Sequence, residues 1–582
     1  MGFFVFKSKA AETRVTRHDA PSEDTISDGD GLHYTTDAGG NTSAPTYQEA
    51  SGAPVEIVSP LGYEAGLITL VFMNVSKMVG TGIFSTPSSV FDGTGSIGLG
   101  LFYWVIGFLV AASMLSVYLE FASYFPSRSG SEAVYLEQAY PRPKYFFPTV
   151  FAVQTVVFSF SSSNAIVLAN YLFRLGESTP SSWQSKGVAL ASYTVAVLAV
   201  SFNTKHSLLL SNAIGWVKLI TLIFIAIAGL VVLGGNVSSI QDPTAHFRNA
   251  FDGTNEATVY GATNSLINVM FSYQGYENAF NLVNEVKNPI KTLKWSAPLS
   301  LVATGILYML ANIAYVAAAS KQEIVESDVN VASLFFEKVF GGGGASRALN
   351  FLICVSAFGN LLVVLIGQSR MLRECGRQGV LPFTRFWTST RPFGTPLGPY
   401  WLKWALTALM ILAPPAGDAF NFVVDLGVYP QSMFNFFLAV GLLLTRRHRK
   451  RLSIPRTEWH AWDIAVYFAI LANLYLLVAP WYPPTTGATG GDVSFWYGTY
   501  VVVGISLIGL CGVYYWVYMK VLPHFGGYKF RQTILTGPSG ETSHKLVKVP
   551  NGQIAQWDEE HDAAGRLRRR PNAGKTEQSV VA

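Results

Sequence analysis

The sequence predicts an all-α integral membrane protein with twelve transmembrane helices, two of which are broken near the middle of the bilayer. Half of the 582 residues are hydrophobic and 13% are charged, a composition typical of chains that cross a membrane many times. Apolar segments long enough for a helical span recur along the chain. Glycines and polar residues interrupt two of these segments, which lie five spans apart.

The predicted spans lie between two polar tails. Residues 1–60 are rich in Ser, Thr, Gly, Asp and Glu and predict a disordered N-terminal tail. A membrane domain follows over residues 61–525, and residues 526–582 form a polar C-terminal tail. The predicted spans cover approximately residues 66–91, 97–125, 146–175, 187–202, 208–234, 259–286, 295–320, 349–372, 400–413, 420–445, 462–481 and 495–522.

Loop charges predict the orientation of these spans. With the N terminus in the cytoplasm, the cytoplasmic loops carry roughly three times as many Lys and Arg residues as the opposite loops. The bias predicts that both termini are cytoplasmic. An odd number of spans would disrupt the alternation between basic and less basic loops along the chain, so the charge bias also favours twelve spans.

The first predicted span contains a glycine-rich interruption over residues 79–83, where Gly80 and Gly82 flank Thr81. Glycine disfavours helix, and lipid cannot satisfy the main-chain groups that a broken helix leaves unpaired. A break at this depth is tolerated where it lines a cavity or binds a ligand. On this segment alone, a kinked but continuous helix is the alternative.

The sixth predicted span contains a second interruption, where Gln274, Gly275, Glu277 and Asn278 follow one another closely. The first span is predicted to run outward and the sixth inward, so the two broken helices are antiparallel. Interrupted segments at corresponding positions of two halves indicate an inverted-repeat transporter with a site near the membrane midplane. A single polar cluster would instead favour a hydrogen bond between helices.

The two breaks predict a site for a zwitterion. The outer half of the first span is expected to begin near Ile83, which leaves the N–H groups of residues 81–83 for a carboxylate. The inner half is expected to end near Val79 and the outer half of the sixth span near Phe271, and their free carbonyls, with those of residues 272 and 273, suit an ammonium. These groups point to an α-amino acid. The predicted substrate-binding residues are Val79, Gly80, Thr81, Gly82, Ile83, Phe271, Ser272, Tyr273, Gln274 and Gly275.

The same segments resemble a known family. Residues 79–84 are similar to the first-helix glycine motif of the amino acid–polyamine–organocation (APC) superfamily, and residues 271–279 to its sixth-helix segment. Residues 119–136 resemble its second helix and the following loop. Within the superfamily the chain most resembles the L-type amino acid transporter branch, and there the fungal high-affinity methionine permeases; residues 76–87 and 549–562 carry this closer likeness.

The resemblance implies a five-plus-five inverted-repeat core of the LeuT type, with repeats at about 66–234 and 259–445 and extra helices at about 462–522. It implies a plasma-membrane permease that takes neutral L-amino acids by alternating access, with methionine as the predicted substrate, proton symport as the predicted coupling and no cofactor. Phe271 and Tyr273 are candidates to wall an apolar side chain, and no acidic residue is obviously placed for a cationic one. The alternatives are an L-type exchanger, or a permease for other neutral or sulfur amino acids such as cysteine or leucine.

Four charged residues in the predicted spans are candidate functional groups. Lys218 lies mid-span, where a charge is costly unless it is paired or hydrated. The resemblance implies that its ammonium replaces the sodium ion of related transporters and couples transport to protons; the alternative is a permanent bond to first-helix carbonyls. Lys77 is predicted to close the inner gate through an ion pair. Glu277 is predicted to pin the sixth helix rather than contact the ligand, and Glu120 to snorkel or to pin a loop rather than bind a proton.

The N-terminal tail suggests a regulatory role. Lys7 and Lys9 precede a small acidic patch at residues 23–30. The resemblance implies that these lysines are ubiquitylated by a ubiquitin ligase, and that arrestin-type adaptors recruit this ligase to the tail. A merely solvated tail is the alternative.

Several other classes of protein are disfavoured. The sequence has no nucleophile elbow, paired His ligands or Walker loop, so it predicts neither an enzyme nor an ATP-driven pump. Three scattered cysteines predict no metal site or disulfide framework. The net charge of +5 is explained by cytoplasmic loops, so the expected partners are an amino acid, a proton and the lipid bilayer rather than nucleic acid. Paired breaks in twelve spans disfavour a channel or a seven-span receptor.

Overall fold

The computed structural model describes residues 59–561 with gaps at 126–128, 414–418, 452, 455, 486, 490–492 and 538–540, together with three short strands in the N-terminal tail. The strands are β1 (Ile26–Ser27), β2 (His33–Thr35) and β3 (Tyr47–Gln48), paired antiparallel in that order. Lys7 and Lys9 lie outside the described residues, so their regulatory role stays a prediction.

Helices form most of the described chain. Those of the first half are α1 (Leu67–Met78), α2 (Gly82–Ser85), α3 (Pro87–Thr94), α4 (Ile97–Tyr124), α5 (Glu132–Ala139), α6 (Phe146–Val157), α7 (Ser162–Leu175), α8 (Ser182–Ser201), α9 (Thr204–Leu233), α10 (Ala245–Arg248) and α11 (Val259–Tyr273). Those of the second half are α12 (Pro289–Ala318), α13 (Lys321–Glu326), α14 (Val331–Phe340), α15 (Gly344–Arg377), α16 (Thr384–Thr388), α17 (Leu397–Leu412), α18 (Ala419–Arg451), α19 (Asp463–Val478), α20 (Thr499–Trp516), α21 (Leu522–Gly526) and α22 (Ile554–Glu560). Short 3₁₀ helices lie at Thr254–Glu256, Asn278–Glu285, Asp328–Asn330, Ala479–Trp481 and Asn551–Gln553, and a π-helical turn at Val517–Val521.

Nine helical segments of the described chain are long and apolar enough to cross a bilayer. This finding confirms the prediction of a mostly helical, multispanning membrane protein. The predicted total of twelve would add α8, the 16-residue apolar α17, and α11 with the 3₁₀ helix that follows it.

Helix α9 has one exposed apolar side and one side that is buried in the protein. Trp216, Ile220 and Ile227 are exposed on one side, whereas Lys218 and Leu222 are buried on the other. A helix in a bilayer exposes its apolar residues to lipid and turns its polar residues toward the protein interior. The same division places Lys218 next to the centre of the molecule.

Helix α1 occupies that centre and packs against α9, α12 and α15. Two asparagines join it to the 3₁₀ helix at Asn278–Glu285. Asn74 Oδ1 accepts a hydrogen bond from the Ala279 N–H at 2.7 Å, and Asn278 Nδ2 donates to the Met73 carbonyl at 3.0 Å. These bonds bring the first and sixth spans together.

One end of α2 and α3 is covered by α13, α14 and the 3₁₀ turn between them. Ser85 Oγ donates to the Val329 carbonyl at 2.8 Å, and Lys321 Nζ donates to the Gly95 carbonyl at 2.6 Å. Both contacts lie on the side that the loop charges predict to be extracellular.

The C-terminal tail contains a hairpin that the sequence reading missed, formed by β4 (Tyr528–Thr536) and β5 (Thr542–Pro550). The hairpin is attached to the end of α15, where the buried Arg377 donates from Nε to the Thr542 carbonyl at 2.8 Å. Arg531, in β4, forms a hydrogen-bonded ion pair with Asp558 in α22, and this pair lowers the pKa of the Asp558 carboxyl. The hairpin segment is polar overall. Its two short strands are therefore not evident from the sequence.

Candidate functional site

The first span is broken where the glycine motif predicts. Helix α1 ends at Met78 and α2 begins at Gly82, one residue before the predicted start. Within the part of the chain that the structure describes, the N–H groups of residues 81–83 meet no hydrogen-bond acceptor. Gly82 is required here because a Cβ atom on it would lie 2.5 Å from Ser272 Oγ and 2.9 Å from Ser272 Cα.

The sixth span breaks two residues later than predicted. Helix α11 continues past Phe271 to Tyr273, and a turn then leads to the 3₁₀ helix that starts at Asn278. Gly275, in this turn, has φ +139°, and a Cβ atom on it would lie 2.7 Å from the Met78 nitrogen. The two breaks therefore touch each other through glycine.

Two carbonyls expected to be free for an ammonium are already occupied. The Val79 carbonyl accepts from Lys218 Nζ at 2.8 Å, and the Ser272 carbonyl accepts from the Tyr308 hydroxyl at 3.0 Å. A buried carbonyl without a partner costs about 1–3 kcal/mol, so the protein's own donors satisfy these groups. The expectation that both carbonyls face the ligand unpaired is not met.

A cavity of about 150 Å³ lies beside the two breaks. This volume is below the range of about 300–1,000 Å³ that is typical of sites for drug-sized ligands, and it suits a small solute. The predicted binding residues that line it are Gly80, Thr81, Gly82, Phe271 and Gln274. The predicted binding residues that do not line it are Val79, Ile83, Ser272, Tyr273 and Gly275.

Tyr273 differs most from its expected position. Its ring is buried against Trp104 and Tyr308, with ring centroids 6.0 and 5.2 Å away. Because α11 continues for two residues beyond Phe271, Tyr273 is helical and its side chain does not line the cavity. Phe271 remains as the predicted aromatic wall.

Lys77 and Glu277 form an ion pair at the cavity. Their side chains are 10% and 7% exposed, and the second carboxylate oxygen of Glu277 accepts from the Gly275 N–H at 2.9 Å. Sequence alone could not name the partner of Lys77, because the two residues are 200 positions apart. The pair joins the inner part of α1 to the break in the sixth span.

Lys218 is fully buried and lies at the C-terminal end of α1. Its Nζ donates to the Ser76 carbonyl at 2.7 Å as well as to Val79, and Asn360 Nδ2 donates to the Lys77 carbonyl nearby. A cation at this position compensates carbonyls that the end of a helix leaves without partners. The geometry is compatible with both roles considered for Lys218, proton coupling and a permanent structural bond.

Glu120 lies outside this site. Its buried carboxylate accepts two hydrogen bonds from Arg446, at 2.8 and 2.6 Å, and one from the Ala461 N–H at 2.7 Å. These contacts tie α4 to the connection between α18 and α19, and the loop-pinning role of Glu120 stays a prediction.

The structure adds a third break that the sequence reading missed. Helix α6 ends at Val157 and α7 begins at Ser162, within the third predicted span. The buried Lys403, which the loop-charge comparison had placed in a loop, donates from Nζ to the Ser159 carbonyl at 2.9 Å and also to the Gln368 side chain. Ser159 and Gln368 line the cavity. The serines among residues 159–163 were the available signal, since several serines in the middle of a span are unusual.

Replacing Lys403 with methionine is expected to destabilise the protein. The variant leaves the Ser159 carbonyl and the Gln368 amide without their donor, at a cost of about 1–3 kcal/mol for a buried polar group. A lower midpoint of heat-induced unfolding of the purified protein in detergent is the expected result. Lys520→Met, at an exposed lysine, is the control, and equal midpoints for both variants would contradict the role assigned to Lys403.

Apolar membrane helices that surround a small cavity at three helix breaks are the architecture of a membrane transport protein. The chain matches the family model of amino acid permeases over residues 66–508. It is 36% identical to the high-affinity methionine permease of Saccharomyces cerevisiae over 504 residues, 86% of each chain, and 30% identical to the low-affinity methionine permease of that yeast over 541 residues, 91% of this chain and 97% of the relative. It is 25% identical to the mouse b(0,+)-type amino acid transporter 1 over 421 residues, 72% of this chain and 82% of the relative. The chain therefore belongs to the amino acid permease family of the APC superfamily, whose members here are transporters and not enzymes.

Proposed function

We propose that the chain is a secondary active permease that carries neutral L-amino acids, with methionine preferred, across the plasma membrane as a proton symporter. The proposal includes twelve spans in a five-plus-five core, alternating access and cytoplasmic termini. The observation that carries it is the meeting of two broken spans at a small cavity, where three main-chain N–H groups have no acceptor among the described residues. The methionine permeases of yeast support the choice of substrate.

In this proposal the substrate carboxylate binds the N–H groups of residues 81–83. The ammonium binds oxygen atoms on the opposite wall, where the Phe271 carbonyl and the Gln274 amide belong to cavity-lining residues. The sequence already predicts the Phe271 carbonyl as one of these acceptors. It accepts one hydrogen bond, from the Gln274 N–H at 3.2 Å, and a carbonyl oxygen has a second lone pair for the ammonium. Hydrogen bonds to charged groups contribute about 1.5–3 kcal/mol each, so the two poles suffice to orient a zwitterion.

The cavity wall favours an apolar side chain that contains sulfur. Four phenylalanines line it: Phe151, Phe158, Phe160 and Phe271. A thioether gains about 0.3–1.5 kcal/mol from contact with an aromatic ring. Two carboxylates also reach the cavity, but Glu277 is paired with Lys77, and Glu132 accepts from the Tyr118 hydroxyl at 2.5 Å. Lys77 compensates the charge of Glu277, and uncharged donors occupy Glu132; with four phenylalanines in the wall, we propose a neutral substrate.

Uptake by the purified protein in liposomes tests the proposal. Labelled methionine, leucine and arginine are compared with and without an inward proton gradient. Methionine is expected to accumulate above its external concentration when the gradient is present, and arginine is not. Uptake that requires internal amino acid and ignores the gradient would instead support an L-type exchanger. Leucine or cysteine in preference to methionine would support the alternative substrates.

The Lys77–Glu277 pair is proposed to hold the two broken spans together on the inner side of the cavity. Removing one partner of a buried pair costs about 3–5 kcal/mol, because the other charge is left without compensation. Lys77→Met and Glu277→Gln are each expected to reduce the initial rate of methionine uptake at least about tenfold. The double variant is expected to retain more activity than either single one.

The exposed pair of Lys338 and Glu323 provides the control. Its side chains are 39% and 41% exposed, and exposed pairs contribute about 0–1 kcal/mol, so Lys338→Met is expected to leave uptake nearly unchanged. If the loss of uptake rate in the Lys77→Met/Glu277→Gln double variant equalled the combined losses of the two single variants, the proposed coupling would be contradicted.

A further inference from the structure

A second cavity, of about 320 Å³, lies at the C-terminal end of α18, where four basic, four apolar and two uncharged polar residues line it. We call it the basic groove. Its basic residues are Arg447, His448, Arg449 and Arg451, and its apolar residues are Phe125, Ala139, Pro141 and Leu444. The proposed transport cycle uses none of them.

Two basic side chains of the groove, Arg447 and Arg451, are not paired with the neighbouring carboxylates that the structure describes. Glu120 and Asp463 are both bonded to Arg446, which lies outside the groove. Within the described ranges, Arg447 and Arg451 form no ion pair, and both are exposed. The groove therefore presents two accessible guanidinium groups.

The position of the basic groove corresponds to the membrane surface. Leu444 is 38% exposed, one turn before the arginines, and Trp462 is 77% exposed at the start of α19. Arg446 binds the Ala461 carbonyl at 2.6 Å, so the start of α19 lies beside the end of α18. Exposed tryptophans at the ends of membrane helices mark the level of the lipid headgroups.

We propose that the basic groove binds the headgroup of an anionic phospholipid of the cytoplasmic leaflet. Arg447 and Arg451 donate to the phosphate oxygens, since a guanidinium matches phosphate with two parallel hydrogen bonds. The acyl chains lie along Leu444. Basic pockets at the cytoplasmic ends of membrane helices are suited to such headgroups. The proposal depends on the orientation proposed above and is independent of the transported substrate.

Binding of dioctanoyl phosphatidylinositol 4-phosphate to the purified full-length protein in detergent tests the proposal. Dioctanoyl phosphatidylcholine and inorganic phosphate are measured in parallel. The wild-type protein is expected to bind the anionic lipid at least about tenfold more tightly than either. The Arg447→Gln/Arg451→Gln variant is expected to lose at least about tenfold in affinity for the anionic lipid. Lys450→Gln is the matched control, because Lys450 is exposed in the same turn but does not line the groove.

Three results would overturn the proposal. Unchanged lipid affinity in the double variant, or an equal loss in Lys450→Gln, would show that the groove is not the site. Equally tight binding of inorganic phosphate would identify a soluble anion as the ligand. Lipid binding that appears after Glu23, Asp24, Asp28 and Asp30 are all replaced by their amides in the full-length protein would identify the acidic tail as the occupant.

Discussion

Replacing Gly82 with leucine is expected to reduce methionine uptake strongly. The first atom of the new side chain would already lie 2.5 Å from Ser272 Oγ and 2.9 Å from Ser272 Cα. The two broken spans must then separate, and the side chain covers the N–H groups proposed to hold the carboxylate. Overpacking alone costs about 1–3 kcal/mol, so a loss of about tenfold to a hundredfold or more is expected in labelled uptake by cells or liposomes.

The matched control is Gly512→Leu, which lies in α20 with open space around the position. Both variants are measured at equal amounts in the membrane, so that a folding defect is not mistaken for a transport defect. Normal uptake by Gly82→Leu would show that the contact between the two breaks is not part of the substrate site.

Replacing Lys218 with methionine is expected to abolish proton-driven accumulation. The variant removes the ammonium that donates to the Ser76 and Val79 carbonyls at 2.7 and 2.8 Å. Asn360 Nδ2 still donates to Ser76, and Ser356 Oγ lies 3.4 Å from the Val79 oxygen, so part of the helix end remains satisfied. Downhill uptake is therefore expected to persist while uptake no longer rises with the proton gradient.

Lys218→Arg separates coupling from structure, because arginine keeps the positive charge and does not release a proton at physiological pH. If Lys218 is the coupling group, this variant also loses the dependence of accumulation on pH. Lys205→Met, at an exposed lysine of the same helix, is expected to behave like the wild-type protein. Normal concentration of methionine by Lys218→Met would rule out Lys218 as the coupling group.

The features that the sequence predicts well are those in which local composition determines the structure. A lipid environment requires apolar residues along a whole span, so the membrane helices could be located within a few residues. Gly80, Gly82 and Gly275 occur together with polar residues at mid-span, and the breaks at α1 and α11 appear at these positions. A bond from Lys218 to first-helix carbonyls is one of the two roles that the sequence predicts for this lysine, and its ammonium donates to the Ser76 and Val79 carbonyls.

The features that the sequence does not predict depend on partners that are distant in the chain. Tyr308 occupies the Ser272 carbonyl, and nothing near residue 272 indicates this contact. Lys403 is part of a short helix, so it could be mistaken for a loop residue, although it satisfies a break more than two hundred residues away. Pairings of this kind depend on how the helices pack, which a single sequence does not specify.

The central claim is that main-chain groups at the breaks hold both charged ends of the amino acid, and competition against labelled methionine tests it most directly. Methionine methyl ester lacks the carboxylate, and N-acetylmethionine lacks the ammonium. Each lost set of charged hydrogen bonds corresponds to about 1.5–3 kcal/mol, so both analogues are expected to compete at least about tenfold less well than methionine in proteoliposomes. Either analogue competing as well as methionine itself would contradict the account.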